Sequence, residues 1–171
     1  LEERGTVKFT DRKTELSVIG MKETLDQLDV KKFDEETIVQ VTPLEGLIIL
    51  KLISYYEKTE RTRDLDDIHE ILENYFDINQ DRFYEKNIDM LEEFSDEEFQ
   101  IEAGAWLAGK DIGKILNKNQ QLKELILQIL QREIDLATGG ISSYFYGKGY
   151  FDDVDTIKKM VRLIIKGIQQ S

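Results

Sequence analysis

The sequence contains no cysteine among its 171 residues, and this absence excludes several kinds of site at once. Without cysteine the chain has no disulfide framework, no thiolate zinc site and no cysteine nucleophile. The single histidine, His69, cannot form a zinc site by itself, and its neighbours predict an exposed position on a helix. Absence of cysteine fits a reducing compartment, and we expect a cytoplasmic protein.

Basic residues are in the minority, with 23 lysines and arginines against 35 aspartates and glutamates, a formal net charge of −12. An acidic surface repels nucleic acid unless its basic residues cluster, so the charge argues against simple electrostatic DNA binding and leaves other nucleic-acid partners open. No apolar run approaches the roughly 20 residues that span a bilayer, and we expect no membrane partner. The length predicts one domain or two small ones.

The only proline, Pro43, separates two kinds of pattern. Before it, short β-branched runs at residues 6–10, 16–19 and 37–42 predict strands, and the apolar spacing of residues 21–28 predicts a short helix. After it the apolar period is helical, with Pro43 predicted at the first helical position. A small sheet-forming part is therefore followed by a helical part.

The helical part divides at its charged stretches and glycines. The helix after Pro43 is apolar almost all round, so we expect it to be central and buried. A capping box at Ser95–Glu98 opens a helix that Gly109 is expected to end, with a short helix following at Asp111. The predicted helices cover residues 43–55, 64–75, 80–93, 95–109, 120–138 and 153–169, with an ordered loop predicted at 142–150.

Lys51 lies between two leucines of the apolar helix. Burying an ammonium is costly unless it is paired or faces a cleft, and lysine can bind phosphate as a point charge. Alternatively, its stem extends so that the charge reaches solvent. Asp64 is placed to cap the next helix, and Asp64 and Asp67 can share one helical face. These aspartates either serve the helix start alone or partner Lys51 at a phosphate-handling site.

The segment PLEGLIILKLI at residues 43–53, followed by RDLDDI at residues 63–68, resembles the nucleotidyltransferase-like proteins of the AbiEii toxin group. Residues 17–25 are similar to the small turn and helix of that group. The resemblance implies a polymerase-β-like nucleotidyltransferase fold. It therefore implies an α+β chain, with part of a small mixed sheet in residues 1–76 and a predominantly helical extension in residues 77–171.

The resemblance also implies nucleotidyl transfer from a nucleoside triphosphate to an acceptor, with Mg²⁺ as the cofactor. By this resemblance Lys51, Arg61 and Arg63 are the candidate nucleotide-binding residues, and Asp64 and Asp67 are the candidate catalytic residues. The family holds its metal ions with a Gly-Ser motif and an Asp-x-Asp strand, whereas this sequence contains no Gly-Ser pair. No metal ligand is therefore assigned, and whether this chain is itself an enzyme is left open.

The chain begins at Leu1, and residues 1–9 look like the stretch that follows the family's second acidic strand. We therefore expect the metal-binding motif to lie outside this sequence. The alternative is a non-catalytic interaction module that binds an antitoxin protein or associates with itself, which the missing acidic motif and the long amphipathic helices from Gln120 onward favour. The acceptor is not fixed by the sequence, and RNA, protein hydroxyls and small molecules all stay open.

Overall fold

The structure, a computed structural model, describes residues 6–8, 15–137 and 140–171, with the side chains of residues 18–137 and 140–171. The strands are β1 Thr6–Lys8, β2 Glu15–Ser17, β3 Asp29–Lys32 and β4 Ile38–Val41. The helices are α1 Met21–Leu25, α2 Leu44–Glu57, α3 Arg63–Lys86, α4 Phe99–Leu116, α5 Gln120–Asp135, α6 Gly140–Lys148 and α7 Val154–Gln169, with a 3₁₀ helix at Ile88–Glu93. Phe9 and Thr10 of the first predicted strand lie outside the described residues.

The predicted α+β class is confirmed, and the described strands form two separate antiparallel pairs. β1 pairs with β2, and β3 pairs with β4 so that Val30 lies opposite Gln40. This differs from the one mixed sheet that the resemblance implies, because short connections between successive strands favour antiparallel hairpins. The sequence pattern missed β3, since Asp29–Lys32 has one apolar residue among three charged ones.

α2 is the buried helix that its apolar composition predicts. Ile48 and Ile49 are completely buried and Leu52 nearly so. Pro43 is the residue before the first helical turn rather than within it, because its ψ of 156° is extended while its φ is −64°. Proline tolerates either place, because it has no backbone N–H to leave unpaired at a helix start.

α3 is one helix of 24 residues where the sequence predicted two. The predicted break after Tyr75 is absent because Tyr75 and Phe76 are both buried on the face that packs against α4. Residues 88–93 form a 3₁₀ helix instead of the end of a second α-helix. α3 therefore runs through the predicted domain boundary between residues 76 and 77, and the division into two domains stays a prediction.

α4, and not α2 as the sequence predicted, is the central helix, because the most extensive helix packing is that of α4 against α7 and α3. The prediction that Gly109 ends this helix is wrong, because α4 continues to Leu116. Gly109 lies where the backbones of α4 and α7 meet: a Cβ there would be 2.9 Å from the carbonyl carbon of Ile164 and closer still to its oxygen. The glycine allows two helices to approach each other and does not stop one of them.

The last three helices complete the core. α5 and α7 follow their predicted apolar faces, and the Asp153 carboxylate caps α7 by accepting from the Thr156 backbone N–H at 2.7 Å. Residues 142–150, predicted as a loop, lie mostly in α6, whose Phe145 is completely buried. Among the described residues, no helix combines the length and the apolar composition that crossing a membrane requires.

Candidate functional site

Lys51 reaches from the middle of α2 to the first turn of α3, where it meets two carboxylates. Its Nζ lies 3.4 Å from Oδ1 of Asp64 and also binds Oδ2 of Asp67. The two aspartates therefore share one helical face, as their spacing predicted. Asp64 does not cap α3, because the helix begins at Arg63 and the Asp64 side chain is directed to Lys51 and Arg61 instead.

Asp64 is the buried anion of this cluster, with 9% of its side chain exposed. Burial opposes its negative charge, but hydrogen bonds from Ser54 and Arg61 and the charges of Arg61 and Lys51 hold the pKa of Asp64 below its ordinary value. Nε of Arg61 donates to Oδ2 of Asp64 at 2.8 Å. The carboxylate is therefore ionised at neutral pH, with a cation bound to each oxygen.

The structure brings one of the two predicted arginines into the cluster. Arg61 is half-exposed and joins through Asp64. Arg63, the first residue of α3, is exposed, and no ion pair among the described residues includes it. Lys51, Arg61, Asp64 and Asp67 thus form one ionic cluster, whereas Arg63 stays outside it. The catalytic and nucleotide-binding roles of these residues stay predictions.

A groove of about 270 Å³ opens beside the cluster, between the turn before α1 and the face of α2. Its apolar lining residues are Ile19, Met21, Leu47, Leu50 and Ile53, and its polar lining residues are Lys51, Ser54, Glu57, Lys58, Arg61 and Asp64. An apolar surface with a few convergent polar groups is the usual composition of a small-molecule site. Three of the polar groups are cations, although the chain as a whole is strongly acidic.

The carboxylates of the cluster do not fit a metal site. Lys51 binds both Asp64 and Asp67, and Arg61 takes the second oxygen of Asp64. A divalent cation at this position would have to compete with two fixed positive charges. Nowhere in the described parts of the chain do three or more histidine, aspartate or glutamate side chains come together in a way that could hold a metal ion.

The opposite side of the first turns of α3 carries a second polar contact that the sequence did not predict. Asp66 accepts hydrogen bonds from the hydroxyls of Tyr144 and Tyr150 at 2.9 and 2.8 Å, and Nζ of Lys148 lies 3.7 Å away. Burial opposes the charge of Asp66, but these hydrogen bonds and Lys148 lower its pKa. The sequence signal was the group of tyrosines between residues 144 and 150, which by itself does not indicate a shared carboxylate partner.

His69 lies against Tyr150 and is not exposed, so the prediction of an exposed position is wrong. Only 13% of its side chain is exposed, because its ring stacks on Tyr150 at 3.9 Å and meets the edges of Phe145 and Phe151. Burial lowers the pKa of His69, although Glu73 and other nearby acids act in the opposite direction. His69 is therefore neutral at pH 7 and packs as an aromatic residue.

A third polar group, in the core, was also missed. The hydroxyl of Tyr75 donates to Asp111 at 2.9 Å and lies 3.2 Å from Glu45, while Arg82 and Lys114 donate to the two Asp111 oxygens. Burial raises the pKa of Glu45, and the Asp111 pKa is held down by Arg82 and Lys114 against the effect of burial. The network ties α2 and α3 to α4, and residues so far apart gave no local signal in the sequence.

A protein-family model matches most of the chain. The family model described as "Nucleotidyl transferase AbiEii toxin, Type IV TA system" matches residues 7–154, which include the Lys51 cluster and every helix from α1 to α6. No curated protein and no solved structure matches the chain. The match confirms the resemblance found at residues 17–25 and 43–68 and extends it through the helices that follow, as far as α6. The chain therefore belongs to the AbiEii nucleotidyl transferase toxin family.

Proposed function

We propose that the chain contributes the nucleotide-binding corner of a toxin-type nucleotidyltransferase. The observation that carries the proposal is the position of Lys51, whose ammonium contacts Asp64 and Asp67 and lines a groove together with Lys58 and Arg61. Lysine and arginine are the usual protein partners of phosphate groups. The three cations of the groove suit the phosphates of a nucleoside triphosphate, and the apolar surface beside them suits its base.

Nucleotidyl transfer breaks the bond between the α- and β-phosphates while an acceptor atom bonds to the α-phosphorus, and pyrophosphate leaves. Negative charge increases on the leaving oxygens, so a fixed cation stabilises the transition state. Lys51 has this role in our proposal. Asp64 and Asp67 hold its ammonium in place, which makes the two predicted catalytic residues positioning residues for Lys51.

We propose Mg²⁺ as the cofactor of the reaction only because the family resemblance implies it. The carboxylates of Asp64 and Asp67 do not fit as its ligands, because Lys51 and Arg61 already neutralise them. The residues of this cluster therefore act in the proposed reaction without a metal ion bound to them. A nucleotide titration with and without Mg²⁺ measures whether the ion contributes to binding at this corner.

Calorimetric titration of each of the four ribonucleoside triphosphates into the chain tests the proposal. We expect Lys51→Ala to weaken the binding of the preferred nucleotide about tenfold or more, since charge-assisted contacts of this kind contribute about 1.5–3 kcal/mol. Lys166→Ala is the matched control, because Lys166 lies on α7 and pairs with Glu93 at 2.7 Å. Equal affinity of the wild type and Lys51→Ala, or no binding to the wild type, would contradict the proposal.

A second candidate function is that of a non-catalytic module that binds an antitoxin protein. The family description, which names a type IV toxin–antitoxin system, favours an antitoxin partner. The self-neutralised cluster around Lys51 also fits a chain without metal chemistry of its own. Mg²⁺-dependent transfer of a labelled nucleotide by the 171-residue chain alone would exclude this candidate.

A further inference from the structure

The hairpin of β3 and β4 is exposed along its whole length. All four residues of each strand are exposed, and Val30 and Ile38 are 65% and 67% exposed. In the described part of the chain β3 pairs with no strand but β4. A two-stranded sheet is marginally stable in water, and an uncovered edge offers unpaired N–H and C=O groups to another strand.

The sequence of β3 is complementary to itself when two copies run antiparallel. In a two-fold pairing centred on Val30, Asp29 of each copy lies opposite Lys31 of the other. These two side chains lie 3.3 Å apart within one copy and are both more than half exposed, so they can exchange partners between copies. Opposite charges then face each other twice across the axis.

Charge also selects a single register for this pairing. A shift by two residues places either Lys31 opposite Lys31 or Asp29 opposite Asp29, which is unfavourable. A shift by one residue would pair side chains from opposite faces, which a two-fold axis perpendicular to the sheet does not allow. The other strand of the hairpin, β4, carries no charge that could set a register.

Exposed apolar residues at the two ends of β3 point to the same arrangement. Phe33 follows the strand and is 82% exposed, and Leu25 precedes it and is 57% exposed. Antiparallel pairing exchanges the strand ends, so Phe33 of each copy lies next to the segment that precedes β3 in the other. In this register Phe33 of each copy lies opposite Gln27 of the other, two residues after Leu25, so the pairing brings exposed apolar residues of the two copies towards each other.

We propose that the free edge of β3 is a dimerisation surface, on which a second copy of this chain pairs its own β3 antiparallel around Val30. Main-chain hydrogen bonds between the two strands supply the affinity, and the Asp29–Lys31 pairs fix the register. The proposal does not depend on the nucleotide-binding corner, because Lys51 and its partners lie on α2 and α3.

Light scattering over a wide range of concentration tests the proposal on the full chain. We expect the wild type to have the mass of two chains and the single variants Asp29→Lys and Lys31→Glu to have the mass of one. Each variant replaces two attractive pairs with two repulsive ones, which raises the dissociation constant about tenfold or more. Lys32→Glu is the matched control, because it makes the same charge change as Lys31→Glu at a position that faces no charge in this register.

Mixing the two single variants is the decisive measurement. The lysine introduced at position 29 of one chain would then face the glutamate introduced at position 31 of the other. At the second pair the unchanged Lys31 would face the unchanged Asp29, so the mixture should regain the two-chain mass. This recovery separates an interface from a local effect on the hairpin. A one-chain mass for the wild type, a two-chain mass for both single variants, or a mixture that stays at the one-chain mass would each overturn the proposal.

Discussion

Lys51 and Asp64 lie thirteen positions apart in the sequence, and Nζ of the first is 3.4 Å from Oδ1 of the second. Both side chains are mostly buried, with 22% and 9% exposed. A buried ion pair contributes little net stability, but removing one partner leaves the other charge without compensation. The pair therefore makes the junction of α2 and α3 sensitive to the loss of either charge.

Asp64→Asn should destabilise the protein by about 1–3 kcal/mol, because the ammonium of Lys51 and the Nε of Arg61 lose a charged acceptor. Asp67→Asn is the matched variant: Asp67 binds the same ammonium but is 55% exposed, so its loss should cost under about 1 kcal/mol. Urea denaturation of both variants at neutral pH measures the difference. Equal losses would show that burial does not distinguish the two carboxylates.

The hydrogen bonds between Asp66 and the hydroxyls of Tyr144 and Tyr150 should make the stability of the protein depend on pH in the acid range. Hydrogen bonds from both hydroxyls help to lower the pKa of Asp66 below its ordinary 3.8. The unfolded chain then takes up a proton before the folded chain does, so the stabilisation is complete above about pH 4 and is lost as pH falls through the lowered value. The double variant Tyr144→Phe, Tyr150→Phe should lose about 1–2 kcal/mol at pH 7 and less than that at about pH 3.

Urea denaturation at several pH values measures this acid dependence, with Tyr146→Phe as the control. Tyr146 lies on α6, as Tyr144 does, and is 54% exposed. Its variant should follow the wild-type curve at every pH. A double variant that loses the same free energy in acid as at neutral pH would mean that the two tyrosines stabilise the protein by packing and not through the Asp66 charge.

His69 should produce a second pH effect in a separate range. Burial lowers the pKa of His69 below its ordinary 6.5, so below about pH 6.5 the unfolded chain binds a proton that the folded chain resists. Stability should therefore fall as pH decreases from about 6.5 towards the lowered value. His69→Phe keeps a ring against Tyr150 but cannot be protonated, and its urea midpoint should change less than that of the wild type over this range. If the urea midpoints of the wild type and His69→Phe changed with pH by the same amount, His69 would not be the source of this pH dependence.

Local pattern predicted the parts of the molecule that depend on one segment at a time. The apolar composition of α2 and the spacing of Asp64 and Asp67 were enough to predict a buried helix and a shared helical face, and contact with Lys51 was one of two alternatives for that face. The same reasoning predicted α5 and α7. These features follow from helix geometry, which a single stretch of sequence determines.

What the sequence did not predict depends on residues far apart in the chain. His69 is buried because Tyr150, 81 positions later, stacks on it, and no local pattern contains that contact. The sequence did not predict β3 because three of its four residues are charged. Both faces of this hairpin are exposed, so its strands show no alternation of apolar and polar residues. A glycine in a helical pattern predicts the end of the helix unless the neighbouring backbone is known. This is why the sequence wrongly predicted that α4 ends at Gly109.

Gly109 and Gly147 differ in surroundings, and their alanine variants should change stability in opposite directions. A Cβ at Gly109 would overlap the backbone of Ile164, which cannot move without separating α4 from α7, so Gly109→Ala should cost about 2 kcal/mol or more. At Gly147, in α6, a Cβ would meet nothing within 4 Å, and Gly147→Ala should stabilise the protein by about 0.5–1 kcal/mol through helix propensity. Thermal and urea denaturation of both variants provide the test. A Gly109→Ala variant as stable as the wild type would mean that the two helices do not cross at this glycine.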